Sequence, residues 1–519
     1  MSVRVRFAPS PTGLLHVGAL RTVLFDFLLR QKEGGSLILR IEDTDRSRYN
    51  PDSEQEFVDT LRWVGIEFDE GPHIGGPNAP YRQSERKEAG FYHEAIERLL
   101  AEGNAYKAFD TPQELDEMRE LQQLNKKATG YFGGNWRDAS PESVSEAEAA
   151  GKPFVVRQKV PHGRKIVLND LVRGRLEWES DVLDDQVLLK ADGMPTYHLA
   201  AMVDDHAMGI THVLRGEEWL PSAPKHVLLF EQLGWEAPVF VHCPVIIGAD
   251  GKKLSKRHGA TRVLDYAGQG ILPDALKNFI ALIGWSAGED REAMPEAELI
   301  QAFDLSRIQS SPGKFDLEKL KWLNGWHIRQ LDPSQLLEIL LSYIESPHVR
   351  RFWEGFVDEN AMPNQPKIDG GVVLAKLDRI PEAVAKDRNY VLAALKEEQE
   401  RVTSLADFGD ALEFFLLDEP PMDPKAEAKW LKQPHAPELF RFILAKLDES
   451  GIETVAHYES MLKEFQAHQG FEKLGPVVHP VRVALTGKTT GPGLFELMAV
   501  LGRDRIRQRL ENVLPRCAK

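Results

Sequence analysis

The chain has 519 residues, 42% of them hydrophobic and 28% charged, with a formal net charge of −16. That composition belongs to a globular protein, and the length asks for several cores, about three to five domains. Two cysteines, Cys243 and Cys517, exclude a disulfide framework and a thiolate zinc site, and no apolar run approaches a membrane span.

The first predicted element is a strand, in which Val3, Val5 and Phe7 alternate with Arg4 and Arg6. A turn carrying Pro9, Pro11 and Gly13 follows, with Thr12 placed to cap what comes next. From Val17 the apolar residues Leu20, Leu24, Phe27 and Leu28 continue at helical spacing. The N-terminus of such a helix presents unpaired N–H groups and a positive dipole end, both attractive to phosphate. Gly18 lets a ligand approach the backbone, and His16 adds a donor at the same place. By itself this pattern also describes a capped helix packed on its own strand.

A second strand is predicted at 36–41, ending at Glu42, with helices at 51–64 and 85–101. From about residue 106 the texture changes to acidic, Ala- and Glu-rich segments such as 141–150, with strand-like runs at 154–160 and 182–189. This fits an insertion between two halves of a parallel sheet, and sheet texture resumes to about residue 247. The glycine-bounded loop 251–259 is strongly basic, which alone describes a solvated charge cluster or a nonspecific nucleic-acid patch. Helices are predicted from there on, at 275–283, 317–323 and 336–344 and then to the end. Pro363, Pro366, Gly370 and Gly371 mark a loop or linker. The tail residues Arg503, Arg505, Arg507, Arg509 and Arg516 describe either an arginine-faced helix or local basic surface for nucleic acid.

Together, His16-Val17-Gly18-Ala19 and Lys253-Leu254-Ser255-Lys256-Arg257 resemble the two ATP signatures of class I aminoacyl-tRNA synthetases. Ala19 and Arg257 depart from the generic His-Ile-Gly-His and Lys-Met-Ser-Lys-Ser forms, as is usual in the glutamyl branch. Residues 6–13, Ile41-Glu42-Asp43-Thr44-Asp45, Tyr81-Arg82-Gln83-Ser84, Pro195-Thr196-Tyr197-His198-Leu199, Val203-Asp204-Asp205-His206 and Arg215-Gly216-Glu217-Glu218-Trp219 resemble bacterial-type glutamyl-tRNA synthetases, in family order. The resemblance runs to about Leu323 and more thinly to the C-terminus, through Lys473-Leu474-Gly475-Pro476 and Pro480-Val481-Arg482.

The resemblance implies an α/β catalytic half, a Rossmann-like parallel sheet with an inserted α+β connective domain, followed by an all-α C-terminal half. The expected domains are the sheet halves at 1–105 and 187–250, and an insertion at 106–186 that contacts the tRNA acceptor stem. A lysine loop with a helical stem-contact domain is expected at 251–330, and a helical anticodon-binding region at 331–519. The implied reaction joins L-glutamate to tRNA(Glu) at the expense of ATP, through glutamyl-adenylate and then the 2′-hydroxyl of the terminal adenosine. Glutamate is already an anionic nucleophile at neutral pH, so positioning and phosphate neutralisation are needed rather than a catalytic base.

On the family pattern His16, Lys253 and Lys256 are catalytic, and Thr12, His16, Gly18, Trp219, Ser255 and Lys256 hold ATP. Arg6, Ala8, Ser10, Glu42, Tyr197 and Arg215 hold glutamate, with Arg6 reading its side chain and Glu42 pairing with its ammonium. Arginine suits this task because its planar fork grips a carboxylate bidentately. Without the motif context, Glu42 and Arg215 also describe a structural ion pair. Relatives commonly carry asparagine where this chain has Ala201, so one polar contact is missing or replaced. Arg401, Arg482, Pro492 and Leu494 match anticodon-side positions. Mg²⁺ is expected to arrive with ATP, and no structural zinc is expected because residues 105–110 hold no cysteine. A cytoplasmic monomer free of membranes is implied. The start of the chain lacks a secretory pattern, in keeping with that location.

Overall fold

The computed structural model describes residues 2–254, 262–288, 290–356, 368–449, 451 and 453–517. It divides into two compact units, Met1–Val263 with Leu276–Asp316 and Leu264–Ala275 with Leu317–Lys519.

In the first unit β1 (Val3–Phe7) pairs in parallel with β2 (Gly35–Leu39), Val5 facing Leu37, and α1 (Val17–Glu33) crosses between them. The alternation in β1 does not separate core from solvent. Arg4 donates to Glu70 and to the Met208 carbonyl at 2.8 Å each, and Arg6 is buried on the same face. Thr12 does not cap α1. His16 does, its Nδ1 accepting the Ala19 N–H at 3.2 Å, because His16 is the last extended residue before the helix.

Next, α2 (Pro51–Val64) starts on an Asn50 cap with Pro51 in its first turn and ends at Gly65, whose φ of 85° is left-handed. The helix predicted over 85–101 is two, α3 (Gln83–Glu88) and α4 (Phe91–Ala101), divided at Gly90 with φ 84°.

The inserted stretch contains β3 (Ala105–Ala108), α5 (Pro112–Leu124), α6 (Pro141–Ala149), β4 (Val155–Gln158), β5 (Lys165–Asp170), β6 (Gly174–Glu179) and β7 (Val187–Leu189). Strands β3, β4 and β7 form an antiparallel sheet, with Tyr106, Ala108 and Tyr131 packed together beside it. Only 187–189 of the predicted 182–189 strand is extended, since Ser180–Val182 closes a tight helical turn. The β5–β6 hairpin has no counterpart in the sequence reading. Its strands carry charged residues on one face and bury Ile166 and Leu168 on the other.

The sheet resumes with α7 (Tyr197–Ala207), β8 (His212–Gly216), α8 (Ala223–Gln232) and β9 (Val239–Cys243). Strands β8 and β9 are parallel, with Arg215 directly opposite His242. Thr211 donates its N–H to the Arg4 carbonyl at 2.9 Å and sets β8 beside β1, giving the order β2-β1-β8-β9. Ligands of such open parallel sheets bind outside the carboxyl ends of the strands.

The second unit is helical, with no strand among its described residues. Pro363 and Pro366 lie outside the described residues. Gly370 and Gly371 open a helix, Gly370–Leu377, capped by Asp369. A Cβ on Gly370 would sit 1.9 Å from the Trp353 carbonyl oxygen, so close packing rather than a linker explains that glycine. The tail arginines are largely engaged within the fold. Arg509 is buried and donates to the Leu485, Phe414 and Leu417 carbonyls, while Arg505 lies 4.0 Å over the Tyr390 ring. Arg507 pairs with Asp448 and Arg516 with Glu427.

Candidate active site

Beyond the carboxyl ends of β1 and β8 lies a cleft of about 1190 Å³. Arg6, Ala8, Ser10, Thr12, His16, Gly18, Glu42, Tyr197, Arg215, Trp219 and Lys253 all line it, although they span some 250 positions of sequence. Ser255 and Lys256 lie outside the described residues.

One end of the cleft is built around the start of α1. Because His16 Nδ1 accepts the Ala19 N–H, the neutral ring carries its proton on Nε2 and can donate it to a ligand. Burial lowers the His16 pKa and the charge of Lys253 lowers it further, against an opposing pull from Glu218, so the ring is neutral at pH 7. A Cβ on Gly18 would come 3.1 Å from His16 Cε1, so glycine there keeps the ring in place and the first helical turn open. Lys253 is presented by a tight turn, with Ile247 bridged to Lys253 and the Gly248 N–H donating to the Lys252 carbonyl at 2.8 Å. Gly251, at φ 73°, supplies the backbone shape that turn needs. The result is a phosphate-sized set of donors: a helix end, an imidazole N–H and an exposed ammonium.

The other end carries carboxylate and ammonium chemistry. Arg6 Nε donates to Asp205 Oδ1 at 3.0 Å and Nη1 to the Leu214 carbonyl at 3.3 Å. Arg40 Nη1 meets the same Asp205 oxygen at 2.8 Å, and its Nη2 meets Glu42 Oε1 at 3.0 Å. Burial pushes the Asp205 carboxyl up, but Arg6 and Arg40 together hold it below its usual range. Burial likewise pushes Glu42 up to about 7, against the pull of Arg40 and Arg6. Glu42 is thus part of an ion network, with Arg40 rather than Arg215 as its partner, and also lines the cleft. Tyr197 and Trp219 form a wall, their ring centroids 4.3 Å apart. Ala201 is fully buried in α7 and offers no polar group.

Asp205 and Arg40 carry much of this geometry, yet sequence reasoning assigned neither a role. Asp205 lay inside a quoted motif, while the Arg40 signal, a charge at the end of an apolar strand, has no local meaning. Both contacts join residues at least 165 positions apart.

On the anticodon side, Arg482 is nearly buried and donates Nη1 to the Pro492 carbonyl at 2.6 Å, and Leu494 opens the final helical stretch, Leu494–Cys517, which is broken into two helices at Gly502. These three predicted residues come together. Arg401 pairs with Glu398 at 3.3 Å, and its charge depresses the Arg482 pKa after burial has done so. Among the described residues no cluster of three or more His, Cys, Asp or Glu side chains could hold a metal ion.

The family described as "tRNA synthetases class I (E and Q), catalytic domain" matches residues 2–322, and an "Anticodon binding domain" matches residues 371–514. The chain belongs to the class I tRNA synthetases. Within them it falls in the glutamate–tRNA ligase family. It is 40% identical to the glutamate–tRNA ligase of Alkaliphilus metalliredigens, over 99% of each chain. It is 39% identical to that of Thermus thermophilus, over 99% of this chain and 100% of the relative. A solved glutamate–tRNA ligase from Elizabethkingia meningosepticum, in complex with its amino acid, superposes with a TM-score of 0.84 at 33% identity, covering 99% of each chain. Class I synthetases of this family use ATP as a substrate, and the expected catalytic and all-α halves are those of the family.

The raised Glu42 pKa has a kinetic consequence in such an enzyme. With a pKa of about 7, the ionised fraction of Glu42 rises between pH 6 and pH 8. Therefore kcat/KM for glutamate is expected to rise roughly tenfold from pH 6 to pH 8, and Glu42→Gln to remove that step. A pH profile at subsaturating glutamate measures it; an unchanged step in the variant would assign the titration elsewhere.

Proposed function

We infer that this chain attaches L-glutamate to tRNA(Glu) for protein synthesis, in two steps within the cleft at the ends of β1 and β8. In the first, a carboxylate oxygen of glutamate attacks the α-phosphorus of ATP and pyrophosphate leaves. In the second, the 2′-hydroxyl of the terminal adenosine attacks the acyl carbon of the adenylate and AMP leaves. The observation that carries this is the juxtaposition of Arg6, Arg215 and Glu42 with the helix start at His16 in one cleft.

Each role follows from chemistry. Arg6 and Arg215 read the carboxylates, Arg6 that of the side chain, and Glu42 reads the ammonium. Ala8 and Ser10 line the pocket and Tyr197 closes it. The α1 start, with Thr12, His16 and Gly18, holds the phosphates, and Trp219 stands by the nucleotide. Lys253, Ser255 and Lys256 follow the charge that builds as pyrophosphate departs. Mg²⁺ enters as part of the ATP substrate.

Domains follow the same reading, with 106–186 on the acceptor stem, 251–330 on the stem beyond it and 331–519 on the anticodon. Arg401, which is exposed, meets the third anticodon base, and the buried Arg482, Pro492 and Leu494 shape the nearby loop from within. The protein works as a monomer in the cytoplasm, where two free cysteines are at home.

The test is aminoacylation with ATP and labelled glutamate on unmodified tRNA(Glu) and tRNA(Gln) transcripts. Charging of tRNA(Glu) alone is the expected result. Charging of neither would reject the function, and equal charging of both would reject discrimination by Arg401. Glutamate-dependent pyrophosphate exchange is expected only when tRNA(Glu) is present.

A further inference from the structure

Arg215 has an unusual set of neighbours for a buried guanidinium: histidines rather than carboxylates. Its Nε donates to His242 Nε2 at 2.9 Å, and Nη1 meets His226 Nδ1 at 3.0 Å. Arginine can only donate, so both of these ring nitrogens must be acceptors. The proton of His242 therefore sits on Nδ1, which meets Asp170 Oδ2 at 2.6 Å. The proton of His226 sits on Nε2, which meets His198 Nδ1 at 2.9 Å. Each ring is left with one tautomer, and in the series Asp170–His242–Arg215–His226–His198 every hydrogen bond is donated outward from Arg215.

The anchor of this series is rigid. Asp170, at the end of β5, also accepts the Val172 and Arg173 N–H groups at 3.0 and 2.8 Å. His242 and Asp170 are fully buried, as is His226. Burial lowers the pKa of His226, His242 and His198, the last to about 4, so all three stay neutral at pH 7; His226 and His242 accept from Arg215 and His198 accepts from His226. What remains is Arg215 Nη2, buried and with no hydrogen bond of full geometry, on a residue that lines the cleft and interacts there with the Tyr197 hydroxyl. A buried donor left unmade is destabilising, and a ligand carboxylate would relieve that cost.

We propose that His242 and His226, oriented by Asp170 and His198, are positioning residues that turn Arg215 so that Nη2 is left to grip a carboxylate of glutamate. Neutral acceptors hold the guanidinium without cancelling its charge, which an aspartate in the same place would do. The inference rests on Arg215 as a carboxylate reader. It also gives the inserted stretch a part in amino-acid recognition, through Asp170.

The test compares His242→Leu with His242→Gln in the full-length protein. Gln retains an acceptor for Arg215 Nε and a donor for Asp170; Leu retains neither. For His242→Leu, KM for glutamate is expected to rise about tenfold or more, with KM for ATP unchanged. For His242→Gln it is expected to stay within about threefold of the parent. An unchanged glutamate KM in the Leu variant, an equal rise for ATP, or a Gln variant as impaired as Leu would each overturn the proposal. If the Leu variant does not fold, His198→Leu at the half-buried end of the series decides, with a several-fold rise in glutamate KM expected and no rise overturning it. Failure of the parent protein to charge tRNA with glutamate would instead reject the function itself.

Discussion

Arg6→Ala is expected to lower kcat/KM for glutamate by about 2–5 kcal/mol of transition-state binding, roughly 30- to several-thousand-fold. Two losses add. The substrate loses a planar, charged fork, and Asp205 loses one of the two guanidiniums that hold its carboxyl ionised in a buried site. KM for ATP is expected to stay within about threefold, because the phosphate end of the cleft is built from α1 and the turn at Lys253. Arg6→Lys keeps the charge but not the fork, and should fall between the parent and Ala. Aminoacylation measured against glutamate concentration checks this. An equal loss for both substrates would assign Arg6 to the fold rather than to glutamate.

Lys256→Ala is expected to lower kcat by about 2–4 kcal/mol, roughly 30- to 1,000-fold, as loss of a single charge-stabilising donor does. The expectation comes from the spacing of the lysine motif. Its nearer lysine, Lys253, lines the cleft with His16, and its charge helps to lower the His16 pKa. KM for ATP should move little, since the charge that Lys256 follows is largest when the bond to pyrophosphate is breaking. Single-turnover formation of glutamyl-adenylate on tRNA-bound enzyme isolates that step. Unchanged turnover would remove the loop from the transition state.

Much of the site was legible because its pieces are local. The strand, turn and helix at residues 3–33 show themselves through apolar spacing and through Pro and Gly at the turn, as the structure has them. The cap was misplaced by four residues, from Thr12 to His16, because a histidine accepts through Nδ1 only if its tautomer permits, which no residue pattern encodes. The break at Gly90 was missed for a related reason. The apolar spacing continues across it, and only the left-handed φ of 84° stops the helix.

The tail arginines show the opposite limit. Their spacing suits an RNA-facing helix as well as a packed one, and only the tertiary partners decide. Arg509 reaches carbonyls of Phe414 and Leu417 some 90 residues away, and Arg505 finds the Tyr390 ring.

By itself the sequence determined the family, the alternating elements of the parallel sheet and the helical second half. These depend on short-range spacing, which a linear chain displays. Only the tertiary structure decided what the cleft residues are in the folded protein. Arg6 changed from an exposed-looking alternation into a buried cation held by Asp205, and Arg215 into a donor held among neutral histidines. The reason is physical. A buried charge is set by the groups that replace its water, and here those groups come from strands and helices far apart in the chain.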